Sequence, residues 1–157
     1  MGYYTRVFCR SEKSPAFSEL EEYMRNKNPL YRLEGEVDDK RVHWTNLELY
    51  YKDGKHPIPV ELNWCDEEGS VGKEELIEFL DEIGSPGFSL KKRRVIKQLK
   101  QTKYIVCNQL LSDLDEDGYL ANDHFKQLFV DRYQGMTHAK NEGFYNTGGT
   151  LLLRDPV

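Results

Sequence analysis

Thr102-Lys-Tyr-Ile-Val-Cys-Asn-Gln-Leu-Leu111 is the stretch on which the fold turns. Tyr104, Ile105, Val106 and Cys107 form an unbroken run of residues that fit a pleated, buried surface. Ile96, Leu99, Val106 and Leu110 also fit a helix that continues from the preceding segment. Periodicity does not decide so short an apolar run. The composition favours the strand.

The segments before it have clearer periods. Gly72 to Ile83 carries Leu76, Ile77, Leu80 and Ile83 on one stripe, with Gly84 where a C-terminal cap belongs. Ser89 is placed to cap a third helix that runs to Lys100 on Leu90, Val95, Ile96 and Leu99. The first of these helices is acidic and the second basic, so side-by-side packing is expected to let their charges neutralise one another.

Further upstream, three segments alternate strictly. Tyr31, Leu33, Gly35 and Val37 alternate with Arg32, Glu34, Glu36 and Asp38. Thr45, Leu47, Leu49 and Tyr51 alternate with Asn46, Glu48, Tyr50 and Lys52. Ile58, Val60, Leu62 and Trp64 alternate with Pro57, Pro59, Glu61 and Asn63. One buried and one wet face mark an antiparallel sheet. Asp53-Gly54 is a strong turn signal between the last two. Pro57 and Pro59 cannot donate to a ladder, which predicts an edge on that side.

The first strand, Tyr3 to Arg10, carries apolar bulk on both faces, as a covered central strand does. Ser14-Pro15 reads as the start of a helix on Phe17, Leu20 and Met24, stopped by Asn28-Pro29. At the other end, Asn122 is placed to cap a helix on Phe125, Leu128, Phe129 and Tyr133. Turn residues then divide 136–154 into a hairpin. The order predicts an α+β fold: an antiparallel sheet with helices packed on one face. Its expected core is ferredoxin-like with an added hairpin. Residues 1–157 read as a single domain, with 1–112 as core and 113–157 as an appended helix and hairpin.

Between the deciding stretch and the last helix lies Asp113-Leu-Asp-Glu-Asp-Gly-Tyr-Leu-Ala-Asn-Asp-His124. Carboxylates alternate, and a glycine follows. The pattern resembles the calcium loop of an EF-hand. Asp113, Asp115 and Asp117 match its first three ligand positions, Gly118 its turn, and Tyr119 its backbone carbonyl ligand. The resemblance implies calcium as the one candidate cofactor. His124 stands where that motif has a bidentate Glu, and there is no second hand. The competing reading is a solvated acidic turn at Asp117-Gly118.

A second candidate is the wet sheet face. Glu34, Glu36, Asp38, Glu48, Tyr50 and Glu61 share one surface if the three alternating strands are neighbours. Like charges side by side on a sheet cost stability. A cationic partner using that face gives a reason to keep them.

Composition narrows the function classes. The chain has 157 residues and a net charge of −5, which disfavours non-specific nucleic-acid binding and favours a basic partner. No apolar run approaches a membrane span, and the expected location is the cytoplasm. Cys9, Cys65 and Cys107 form no C-x-x-C pair, and Cys9 and Cys107, in apolar runs, read as small core residues. No catalytic motif of known spacing is present, so nothing positive supports an enzyme. The sequence reads best as a small acidic domain that binds a basic protein partner, with calcium binding and small-molecule catalysis as the alternatives.

Overall fold

A computed structural model describes residues 3–40 and 42–156. The deciding stretch is a strand, β5 (Tyr104–Leu110). It pairs antiparallel with the first strand, β1 (Tyr3–Cys9), in full register from Tyr3 opposite Leu110 to Cys9 opposite Tyr104. Both are covered on two sides. Val7, Cys9, Tyr104 and Val106 enter one core, while Phe8 and Ile105 enter another. Successive side chains of a strand point to opposite faces, so these apolar runs demand two layers of cover.

The remaining strands extend the sheet in both directions. β2 (Arg32–Val37), β3 (Trp44–Tyr50) and β4 (Ile58–Trp64) form a meander beside β5. β6 (Gly135–Ala139), β7 (Gly143–Tyr145) and β8 (Leu151–Arg154) form another beside β1. The order is β2-β3-β4-β5-β1-β6-β7-β8, antiparallel throughout. Gly54 adopts the positive φ of 81° that the β3–β4 turn requires.

Four helices cover the sheet. α1 (Phe17–Lys27) and α4 (Glu116–Arg132) bury Phe17, Leu20, Met24, Ala121, Phe125, Leu128 and Phe129 in the first core. α2 (Val71–Ile83) and α3 (Leu90–Lys100) bury Leu76, Val95 and Leu99 in the second, with Met136, Phe144 and Leu152. Ser70 and Ser89 cap α2 and α3 by accepting from the Lys73 and Lys92 amides.

The α+β class and the antiparallel sheet stand, and four details differ from the sequence reading. The helices do not share one face, because both sides of β1 and β5 are apolar and each side takes a helical pair. The eight-stranded order replaces the ferredoxin-like core. Residues after 112 are not an appendage: α4 fills the first core and β6 pairs with β1. β4 is internal, although its ladder to β5 begins at Val60, just past Pro59. Among the described residues no helix is long and apolar enough to cross a membrane.

Two helix starts also moved. α1 begins at Phe17 because its amide donates to the Val42 carbonyl at 3.1 Å, a contact distant in sequence. α4 begins at Glu116, capped by Asp115, whose side chain accepts from the Gly118 amide. Asn122 is inside the helix and 2% exposed.

Candidate functional site

The acidic stretch forms a capped helix start. Asp115 Oδ1 accepts from the Gly118 amide at 3.1 Å, and its other oxygen meets Lys52 Nζ. Asp117 Oδ2 lies 2.8 Å from the same ammonium. Asp113 Oδ2 lies 2.9 Å from His56 Nδ1, and its carbonyl accepts from Lys55 Nζ. The Lys52 hydrogen bond holds the Asp115 carboxyl below the usual carboxylate range, and His56 does the same for Asp113. Tyr119 is in the first turns of α4, where its amide donates to the Asp115 carbonyl. His124 turns away to Tyr31, with Nδ1 3.0 Å from the hydroxyl. The three aspartates therefore face side chains supplied by the β3–β4 turn, Lys52 for Asp115 and Asp117 and His56 for Asp113. Among the described residues no group of three or more His, Cys, Asp or Glu side chains is arranged to hold a metal ion.

The sheet face gathers most of its expected residues. β2, β3 and β4 are neighbours, and Glu34 stands directly opposite Glu48. Glu48 is opposite Pro59, and Asn46 is opposite Glu61. Glu34, Glu36, Glu48 and Glu61 line an open hollow of about 500 Å³. All four are exposed. Arg32 partly balances them: its guanidinium is 2.6 Å from Glu34 Oε1 and lies 4.3 Å above the Tyr50 ring. Tyr50 donates to Glu48 Oε2 at 2.8 Å, which raises the phenol's pKa. Glu36 and Glu61 have no ion-pair partner among the described residues. Asp38 is the exception to the gathering. Its carboxylate accepts from the Val42 and His43 amides and shapes its own loop.

The helical charge block also differs from expectation. α2 and α3 touch, but Glu75 of α2 pairs with Arg6 of β1. Among the described residues no salt bridge joins the two helices.

Two further hollows combine residues that no spacing linked. One, of about 640 Å³, lies between α2 and the β1–β6 face. There His138 Nε2 is 3.0 Å from both oxygens of Asp155, while Phe79 and Phe144 pack on the ring. Burial lowers the imidazole's pKa. The other, of about 470 Å³, lies between α4 and β1, β6 and β7. Tyr3 and Tyr145 both donate to Glu142, and their hydrogen bonds hold its carboxyl below the usual range. On its floor Asn122 accepts from Asn108 at 2.7 Å and donates to Thr5 at 3.2 Å. Lys126 completes it, with a side chain 15% exposed. These residues come from β1, β5, α4, β7 and the β6–β7 turn, so only the folded chain brings them together.

Cys9 is buried in the first core, as read, and Cys65 in the second, whereas Cys107 is only half-buried and lies outside both. Burial pushes Cys107 up to about 11 and Cys65 up to about 12, and drives Cys9 higher still. A raised pKa favours the protonated thiol at neutral pH.

No protein-family model, curated protein or solved structure matches the chain.

Proposed function

We propose that the chain is an interaction domain whose open sheet face binds a basic protein partner through Glu34, Glu36, Glu48 and Glu61. One observation carries the reading: Glu34 and Glu48 are paired directly across two strands on an uncovered surface. Such a pair opposes folding, so a compensating partner gives it a use. Two neighbouring carboxylates, Glu36 and Glu61, have no ion-pair partner among the described residues and add to the negative charge of the face. A negative hollow of this kind steers a positively charged partner and favours its approach over that of an acidic one. The reading takes the partner to be a protein in the cytoplasm, not a membrane or a nucleic acid. Three free cysteines are compatible with a reducing compartment.

The test is binding of a fluorescent Lys/Arg-rich peptide, followed by anisotropy at low and high salt. Affinity is expected to fall as salt rises, and to be lost in the Glu34→Gln, Glu48→Gln, Glu61→Gln triple variant. Asp113→Asn, on the far side of the β3–β4 turn, should leave it intact. Equal affinity in the triple variant, or loss in both variants alike, would remove the face from consideration.

A further inference from the structure

The hollow beneath α4 is independent of the acidic sheet face, and its chemistry is different. Its volume of about 470 Å³ suits a small molecule. Lys126 follows Asn122 by one helical turn, so both side chains lie on the same face of α4. The lysine side chain is 15% exposed, and Asp123 Oδ1 is 3.8 Å from its nitrogen. That is beyond hydrogen-bond range, and Asp123 is itself largely in solvent. The lysine stem is thus largely buried, and its amine is held by no hydrogen bond among the described residues. Glu142 faces it from the β6–β7 turn, fixed by Tyr3 and Tyr145, and Tyr119 adds a third aromatic wall.

We propose that this hollow binds a small aldehyde or ketone, which Lys126 captures as an imine. The nitrogen lone pair adds to the carbonyl carbon. The resulting hydroxyl leaves as water with the two hydrogens of the amine, so a C=N bond replaces C=O. No oxidant or reductant is consumed. Asp123 and Glu142, the two carboxylates whose charges reach the amine, take and return the proton as nitrogen adds and water leaves.

The electrostatics agree with the geometry. Burial lowers the pKa of the Lys126 ammonium, against the opposing pull of Asp123 and Glu142. A neutral amine is the form that attacks a carbonyl. The ionisable side chains facing it are Asp123 and Tyr119 of α4, Glu142 of the turn, Tyr3 of β1 and Tyr145 of β7.

The experiment treats the full chain with pyridoxal, reduces with borohydride, and maps tagged lysines by peptide mass spectrometry. Lys126 is expected to be tagged several-fold faster than the exposed Lys91 and Lys100. Its rate should rise with pH at a lower midpoint than theirs. Glu142→Gln should change both the rate and the midpoint while leaving the circular dichroism spectrum unchanged. Tagging of Lys126 no faster than Lys91 would overturn the proposal, and this readout needs no variant. So would a Glu142→Gln variant, folded by the same spectrum, with unaltered rate and midpoint.

Discussion

Asn122 Oδ1 accepts a hydrogen bond from Asn108 Nδ2 at 2.7 Å, in the middle of the first core's edge. Asn122 is 2% exposed and Asn108 1%. The pair joins α4 to β5, and Asn122 Nδ2 carries the link on to Thr5 Oγ1 of β1 at 3.2 Å. A helix is thereby pinned to two adjacent strands through polar groups that have little access to water. Buried donors and acceptors that lose their partners cost more than the bonds themselves contribute.

Asn122→Leu keeps the approximate size of the side chain and strips Asn108 and Thr5 of their partner. The expected loss is about 1–3 kcal/mol. It is measured as a lower urea midpoint at unchanged slope. A variant as stable as the parent would show that Asn108 and Thr5 find other partners.

Gly72→Ala should reverse the sign that helix propensity assigns. Alanine inside a helix is ordinarily favoured over glycine by about 1 kcal/mol. Gly72 is in the first turn of α2, where an added Cβ would lie 2.6 Å from the Trp64 carbonyl oxygen and 3.0 Å from Cys65 Sγ. That oxygen belongs to the end of β4 and cannot swing aside as a side chain does. Overpacking of this kind costs about 1–3 kcal/mol. The thermal midpoint of the variant is expected to fall, and a rise would mean that α2 can shift away from β4.

How much of this could be read in advance depends on where each signal sits. Leu33, Leu47, Leu49, Val60 and Leu62 announced their strands because alternation is local and one face is buried. Ser89 announced α3 because its cap is three residues away. The start of α4 was illegible for the opposite reason. Asp113, Asp115, Asp117, Asn122 and Asp123 are all capping residues, and the choice falls to contacts from elsewhere. Leu114 and Tyr51 pack where a Gly118 Cβ would be, and Lys52 meets both Asp115 and Asp117. The carboxylates of the sheet face followed from alternation plus adjacency. Lys126, Glu142, Tyr3 and Tyr145 had no such pattern, since their meeting depends on β6 pairing with β1 across most of the chain.

Asp115 allows capping to be separated from charge. Its carboxyl is held below the ordinary range first by the Lys52 hydrogen bond and also by the Gly118 amide. A carboxyl with a lowered folded pKa stabilises the fold above its unfolded value, about 3.9. That contribution disappears as the pH falls through the folded value. Asp115→Ala should therefore lower the melting temperature most at neutral pH, with the gap from the parent closing in acid. Asp115→Asn retains a good cap but no charge for Lys52, so it should fall between the two at neutral pH. Equal melting curves for Asn and Ala variants would mean that the cap contributes nothing.

Calcium is the remaining question posed by the sequence. Binding a cation in the arrangement of an EF-hand would need Asp113, Asp115 and Asp117 to converge on one centre. Here the helix begins at Glu116, and the latter two carboxylates share the Lys52 ammonium. A calcium ion would have to displace Lys52, release the Asp115 cap and detach Asp113 from His56. Each loss opposes binding, and no Glu occupies the position of His124 to repay it. Millimolar calcium is accordingly expected to leave the melting temperature unchanged, since a ligand of the folded state must raise it. Lys52→Ala is the variant most open to the ion, because it leaves Asp115 and Asp117 without their shared cation. A calcium-dependent rise in Lys52→Ala but not in the parent would assign the occupancy of this cluster to the lysine. A rise in the parent that Asp113→Ala abolishes would instead establish the loop as a calcium site.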